Sequence, residues 1–140
     1  TQSFQTRVPV HAATDASSAR DAHLVLCCVK ATDTERAAVD LAPHLAPDAV
    51  VLSLQNGVDN AERLQRILGR EVISAVVYVA TEMAGPGWVK HHGRGELVIG
   101  QAAAADELVG LFSAAGVPIE ISANVVGALW AKLIVNCCQR

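Results

Sequence analysis

The chain has 140 residues, of which 51% are hydrophobic and 18% are charged, a balance that allows a buried core and excludes a disordered segment. Its net charge of −3 provides no basic face for a nucleic acid. The apolar runs are too short to cross a membrane, so we expect neither nucleic acid nor membrane as a partner.

Apolar runs alternate with helical patterns along the chain, which predicts an α/β domain with a mostly parallel sheet and flanking helices. The first half has four candidate strands, at residues 8–10, 23–29, 49–54 and 72–80. Residues 23–29 (HLVLCCV) are apolar at nearly every position, as is typical of a strand covered on both faces.

The helices between these strands are predicted from capping signals and apolar stripes. Two capping boxes are expected to begin them, formed by Thr32 with Glu35 and by Asp59 with Glu62. The first helix should bury one face, made of Thr34, Ala37, Ala38, Leu41 and Leu45. The second has the apolar stripe Ala61, Leu64, Ile67 and Leu68.

Glycine and proline residues mark the turns of the second half. The run Gly85-Pro86-Gly87 predicts a turn. Residues 88–91 and 96–99 predict a hairpin that turns at residues 92–95. The remaining predicted elements are a helix near residues 108–115, a short edge strand at 118–121 and a last helix from about Asn124.

The cysteines and histidines do not have the spacing of a metal site. The four cysteines form two adjacent pairs, Cys27-Cys28 and Cys137-Cys138. Adjacent cysteines rarely bridge each other, so we interpret all four as reduced core residues, which favours a reducing, cytoplasmic compartment. His91 and His92 lack a third ligand at metal spacing, so we expect them at the surface and predict no metal.

Lys132 is the one charged residue in an apolar stretch, residues 128–138 (ALWAKLIVNCC). Asn136 follows it by four positions, so the two share one face of a helix. A lysine with a polar neighbour among apolar residues can face a cleft and give a proton to a substrate carbonyl. A lysine that extends from a buried helix to solvent explains the same pattern, and the spacing alone favours this second interpretation.

Two polar residues follow buried strands and are expected at the carboxyl edge of the sheet, where doubly wound folds bind ligands. Asn56, in the turn Gln55-Asn56-Gly57, can donate and accept hydrogen bonds there, although asparagine is also a common turn residue. Lys30 can meet a cofactor phosphate or ribose, although a solvated lysine at a strand end is ordinary. The backbone of residues 81–83 is expected to leave a strand at the same edge and touch the cofactor.

Four stretches, taken in order, resemble the ketopantoate reductase (2-dehydropantoate 2-reductase) family. They are residues 26–30 (LCCVK), 51–58 (VLSLQNGV), 96–100 (ELVIG) and 128–136 (ALWAKLIVN). Their order and spacing cover nearly the whole chain. The last stretch is the most specific, and the Gln-Asn-Gly turn after an apolar strand comes second.

The resemblance implies a fold, an activity and a set of site residues. Family members join an N-terminal Rossmann-type domain to an all-helical C-terminal domain and reduce 2-dehydropantoate to pantoate with NADPH, in the route to pantothenate and coenzyme A. By this resemblance Lys132 is the catalytic general acid and Asn136 binds the substrate. Asn56 lies between nicotinamide and substrate and contacts both, and Lys30 binds the cofactor.

The resemblance also implies a division of the chain. Residues 1–122 correspond to part of an NADP-binding domain, and residues 123–140 to the start of the helical substrate domain. The sequence contains no G-x-G-x-x-G fingerprint, so we expect a fragment that is inactive by itself. Arg140 departs from the family pattern, which has a second asparagine there.

Two other functions remain open. The first is a paralogous reductase that acts on another 2-oxo acid or an opine-type substrate. The second is a non-catalytic, truncated module that only folds or binds partners. An upstream glycine-rich loop and a downstream helical domain with a polar cleft would favour an enzyme over the module.

Overall fold

The computed structural model describes residues 5–138, so Arg140 lies outside the described residues. Five strands form the sheet: β1 (Leu24–Cys27), β2 (Val50–Ser53), β3 (Val72–Gly85), β4 (Trp88–Gly100) and β5 (Ile119–Ser122). They are neighbours in chain order. β1, β2 and β3 run parallel, β4 returns antiparallel to β3, and β5 runs parallel to β4.

Within residues 5–138, four α-helices accompany this sheet: α1 (Thr34–Leu41), α2 (Asn60–Leu68), α3 (Ala105–Ala114) and α4 (Val125–Cys138). α1 and α2 connect the parallel strands, α3 connects β4 to β5, and α4 follows β5. The predicted fold class, a partial Rossmann-type sheet with flanking helices that ends in a helix, is confirmed. Within residues 5–138, no helix is long and apolar enough to cross a membrane.

The core lies on both faces of β2, because successive strand residues point to opposite sides. Val51 packs with Ala38 of α1 and Leu64 of α2 on one face. Leu52 packs with Ile99 and with Leu108 of α3 on the other. This strand is therefore covered on both faces, as its apolar run predicts.

The edge strand β1 is less covered than its sequence predicts. Leu26 is 44% exposed, whereas Cys27 on the opposite face is buried. The strand predicted at residues 8–10 is wrong, since the chain there is irregular. Val8 and Val10 are both exposed and no neighbouring strand pairs with them, so their alternation with proline produces no strand.

Both predicted capping boxes are also wrong. Neither α1 nor α2 has a side-chain cap at its first turn. Glu35 instead accepts two hydrogen bonds of 2.6 Å from Arg63 of α2, and Glu62 pairs with Arg66 one turn along its own helix. The carboxylates form ion pairs with arginines, so they are not available to the helix N-termini.

The hairpin predicted at residues 92–95 is wrong as well. β3 and β4 form one long hairpin that turns at Pro86 and Gly87, and residues 92–95 lie inside β4. Gly93 and Gly95 have φ values of 147° and 142° there, and the register of the pair shifts at Tyr78 and Ala80. The glycines therefore mark irregularities in a strand, which is their other common use.

The cysteines are all free thiols, but the prediction that all four lie in the core is wrong. Cys27 is buried, whereas Cys28, Cys137 and Cys138 are exposed. Cys28 follows the edge strand β1. α4 buries Leu129 against β3 and β4, while the last turn of this helix, which carries the other pair, lies in the open.

Candidate active site

The loops after β1 and β2 lie at one edge of the sheet, because the two strands are parallel neighbours. Lys30 comes three residues after the end of β1, and Asn56 comes three residues after the end of β2. Both side chains are exposed. This is the carboxyl edge of the parallel strands, where such sheets bind ligands.

Lys132 reaches this edge from α4. Its ammonium donates a hydrogen bond of 2.9 Å to Asn56 Oδ1 and one of 2.7 Å to the Val77 carbonyl oxygen. These contacts use two of the three donors of the ammonium. Lys132 therefore points to the sheet edge and is fixed there, rather than extending freely into solvent as a surface lysine does.

The position of Lys132 follows from the packing of α4. Leu129, three residues earlier in the helix, is buried against Val76 of β3 and Val98 of β4. Residues three apart share one helix face, so burial of Leu129 turns Lys132 toward the same sheet. The Lys132 side chain is partly buried, and this burial lowers its pKa, since loss of water disfavours the charged form.

The Val77 carbonyl is free to accept a hydrogen bond from Lys132 because β3 extends beyond the end of β2. β2 pairs with β3 only as far as Ser53 opposite Ser74, while β3 continues to Gly85. Beyond Ser74, the edge of β3 that faces β2 has no strand partner within residues 5–138. A carbonyl on that edge needs another donor, and Lys132 supplies it.

Three buried polar residues near Asn56 were not predicted from the sequence as part of the site: Thr34, Gln55 and Asn60. The sequence pattern places Gln55 in a turn and Thr34 on the apolar face of α1. In the structure Gln55 Nε2 donates to Thr34 Oγ1 at 2.8 Å, and Asn60 Nδ2 donates to the Asn56 carbonyl oxygen at 2.8 Å. A threonine in an apolar helix stripe, near two amides of the next loop, was the signal that could have identified them.

The predicted role of Asn136 stays a prediction, whereas the predicted place of residues 81–83 is wrong. Asn136 lies one turn beyond Lys132 on α4, but its side chain is exposed and makes no hydrogen bond within residues 5–138. Residues 81–83 do not leave a strand, because they pair with β4 inside the long hairpin. Their predicted approach to the sheet edge is therefore wrong, and the backbone atom that lies at this edge belongs to Val77.

An open groove of about 1150 Å³ borders β1 and is lined by Cys28, Val29 and Lys30. Arg36 of α1 also lines it, paired with Asp33 at 3.1 Å. Asp15, Asp33 and Asp40 line the groove as well, so it presents charges of both signs beside apolar side chains. In the part of the chain that the structure describes, no group of three His, Cys, Asp or Glu could hold a metal ion.

Comparison with known proteins gives one consistent result. The family model described as "Ketopantoate reductase PanE/ApbA" matches residues 1–104. A 2-dehydropantoate 2-reductase of Halobacterium salinarum is 37% identical in a match of 134 residues, and the match covers 89% of this chain and 43% of that protein. One of Mycobacterium tuberculosis is 32% identical over 114 residues, 81% of this chain and 39% of that protein.

A solved structure gives the same result. The PanE/ApbA family ketopantoate reductase of Ralstonia eutropha JMP134 matches with a TM-score of 0.93 and 60% sequence identity, over 97% of this chain and 46% of that one. The chain thus spans less than half the length of the relatives it matches. With a family model that matches most of its residues and a sheet of the same form, the chain belongs to the ketopantoate reductase family.

Proposed function

We propose that this chain forms the lysine-bearing side of an active site that reduces 2-dehydropantoate to pantoate with NADPH. The observation that carries the proposal is the Lys132 ammonium, held by Asn56 Oδ1 and the Val77 carbonyl at the ligand-binding edge of a parallel sheet. Membership of a reductase family supports the reaction type. The curated relatives named 2-dehydropantoate 2-reductase support the substrate.

Lys132 is the proposed general acid. Reduction of a ketone builds negative charge on its oxygen, and an ammonium there both offsets that charge and supplies the proton. Partial burial lowers the pKa of Lys132, which makes it a readier proton donor at neutral pH than a solvated lysine. Asn56 and Val77 accept hydrogen bonds from Lys132, so they orient its remaining donor toward the ketone oxygen.

NADPH would supply the hydride when bound. The residues of this chain suited to hold it are Lys30, which lines the open groove beside β1, and Asn56, whose amide group lies at the same edge. A cation there can meet a phosphate or ribose. The carboxamide of Asn56 can contact both the nicotinamide and the substrate.

Asn136 is the proposed substrate-binding residue of α4. Its side chain is exposed one helical turn from Lys132, so it is free to donate and accept hydrogen bonds with a 2-oxo acid. We place the domain division after Ser122, where β5 ends, with residues 123–140 as the start of the substrate domain. The four free thiols support a cytoplasmic location. The names of the curated relatives support a role in pantothenate and coenzyme A synthesis.

A related reductase of another 2-oxo acid is the second candidate. Lys132 is proposed to act on the ketone oxygen, which every 2-oxo acid presents, so this role fits other 2-oxo acids as well as 2-dehydropantoate. The two candidate functions share one mechanism and differ only in the 2-oxo acid that is reduced. The ratio of kcat/KM for 2-dehydropantoate to that for other 2-oxo acids discriminates them.

The test uses what we call the completed enzyme: this chain flanked at both ends by the matching segments of the Ralstonia eutropha relative. We expect it to oxidise NADPH when 2-dehydropantoate is added, measured by the loss of nicotinamide absorbance. The 140-residue chain alone should be inactive, since its sequence has no glycine-rich phosphate loop. A folded completed enzyme that prefers another 2-oxo acid would establish the second candidate, and one that reduces none would contradict the proposal.

A further inference from the structure

Three polar side chains lie beneath the site and take no part in the proposed reaction. Thr34, Gln55 and Asn60 are 0%, 6% and 3% exposed. Burial of a polar group is unfavourable unless it is hydrogen-bonded, so their partners show what they hold in place.

The three residues form one continuous series of hydrogen bonds. Gln55 Nε2 donates to the Val29 carbonyl at 2.9 Å and to Thr34 Oγ1 at 2.8 Å. Thr34 Oγ1 donates to Asn60 Oδ1 at 3.0 Å. Asn60 Nδ2 then donates to the Asn56 carbonyl at 2.8 Å. The series thus begins and ends on main-chain carbonyls of the two loops at the carboxyl edge of the sheet.

The direction of every hydrogen bond in the series is determined by its surroundings. Arg63 donates to Asn60 Oδ1 at 3.1 Å, and because arginine has no acceptor, the atom that faces it must be the oxygen. The Asn60 amide nitrogen therefore faces the Asn56 carbonyl. At the other end, the Val29 carbonyl can only accept, so the Gln55 nitrogen must face it.

The series connects the loop of Lys30 to the loop of Asn56. Val29 immediately precedes Lys30, and the Asn56 carbonyl belongs to the residue whose side chain accepts from Lys132. Gly57 permits the close approach of Asn60, because a Cβ there would lie 2.9 Å from Asn60 Nδ2 and its φ is +115°. The position of Asn56 is thus fixed by the buried side chains of this series.

We infer that Thr34, Gln55 and Asn60 are positioning residues, which fix the Asn56 loop so that its side chain holds Lys132 in place. The inference rests on the proposed function only in giving Lys132 a catalytic role. The geometric part, a coupling between Thr34 and Lys132 through Asn56, concerns the folded chain itself and is measured without any reaction.

The first experiment is a double-mutant cycle on the unfolding equilibrium of the chain. Thr34→Val keeps the shape of the side chain but removes the hydroxyl, and Lys132→Met removes the ammonium. We expect the joint effect to differ from the product of the single effects by about threefold or more in the unfolding equilibrium constant. In an Asn56→Ala background this coupling should disappear.

The matched control is Arg70→Met. Arg70 donates to the Ala46 and Ala49 carbonyls at 2.8 and 3.2 Å, so it also holds a loop by side-chain hydrogen bonds, but before β2, at the opposite edge. It should destabilise the chain and combine with Lys132→Met without coupling. If Thr34→Val does not fold, Asn60→Ala removes the last link of the series and should show the same coupling.

The second experiment measures kcat in the completed enzyme. Thr34→Val should lower kcat by about tenfold with little change in the KM for NADPH, and Thr34→Ser, which retains the hydroxyl, should restore it. Arg70→Met should leave kcat unchanged at a similar loss of melting temperature. Additive effects of Thr34→Val and Lys132→Met would overturn the inference. A Lys132→Ala enzyme with undiminished kcat would instead overturn the proposed function while the coupling stands.

Discussion

Two regions of the molecule bring a cation to oxygen atoms, and they do so in different surroundings. At the sheet edge, Lys132 is partly buried and donates to a side-chain amide and a main-chain carbonyl. In the part of the β3–β4 hairpin between Glu82 and His92, called the arm below, Glu82 lies 3.1 Å from His92 and 3.9 Å from Lys90, and all three side chains are well exposed. Burial lowers the pKa of Lys132.

The difference shows what makes a polar contact specific. Exposed ion pairs are screened by water and leave both side chains free to move, so they contribute little to stability or geometry. At the sheet edge, the burial of Leu129 fixes α4, and the hydrogen bond from Asn60 fixes the loop of Asn56. Chemistry is therefore expected at the edge and not in the arm, although the arm holds more charges.

Replacement of Lys132 tests the comparison most severely. In the completed enzyme, Lys132→Ala should lower kcat by about 10²- to 10⁴-fold, the usual contribution of a general acid, because alanine has no proton to donate. Lys90→Ala in the arm, which also removes one lysine, should leave kcat unchanged. The measurement is kcat together with melting temperature. If Lys132→Ala retains kcat within about threefold, Lys132 is a structural residue only.

The pH dependence of kcat should show whether Lys132 is the group that donates the proton. A general acid works in its protonated form, so kcat should fall as pH rises through the pKa of Lys132. Since burial lowers that pKa, the fall should begin below the pH at which an ordinary lysine titrates. In Lys132→Arg this fall should move out of range, because a guanidinium stays protonated. A profile that is the same in both enzymes would show that another group titrates.

Asn136 should affect binding more than chemistry. Its amide offers hydrogen bonds but no proton, so Asn136→Ala should raise the KM for the substrate by about tenfold and leave kcat nearly unchanged. The KM for NADPH should not change. The exposed residue Glu107 of α3 provides the control, since Glu107→Ala lies on a different helix and should alter neither constant. A fall in kcat without a change in KM would exclude a binding role.

The arm should give the smallest effect. Glu82→Gln removes the negative charge from both exposed contacts and should change the free energy of unfolding by less than about 1 kcal/mol. We expect no change in kcat. Chemical denaturation of the chain and of the variant measures this difference. A much larger loss of stability would mean that burial is not what separates the two regions.

The sequence predicted the parts of the fold that depend on local pattern. The apolar run around Val51 and Leu52 predicts a buried strand, and the proline at position 118 predicts an edge strand; both are found. The family resemblance predicts that Lys132, Asn56 and Lys30 belong to the site. The spacing alone favours a Lys132 that extends into solvent. Their proposed roles remain predictions.

Other features depend on contacts that no local pattern contains. Glu35 looks like a capping residue until Arg63 of the next helix is seen to bind it. Gly93 and Gly95 look like a turn, because a glycine that relieves a strand irregularity has the same local signature as one in a hairpin. Thr34 looks apolar by position, and only the loop of Gln55 and Asn60 reveals that its hydroxyl is used.

One partner of Lys132 is a main-chain atom, and this has a consequence for mutation. Any side chain that suits a strand can stand at Val77 and still present the same carbonyl, so the lysine is insensitive to the identity of that residue. The contact depends on alignment, since successive carbonyls of a strand point to alternate sides. A one-residue insertion or deletion between Ser74 and Val77 would turn the oxygen away from Lys132, where ordinary substitutions leave it in place.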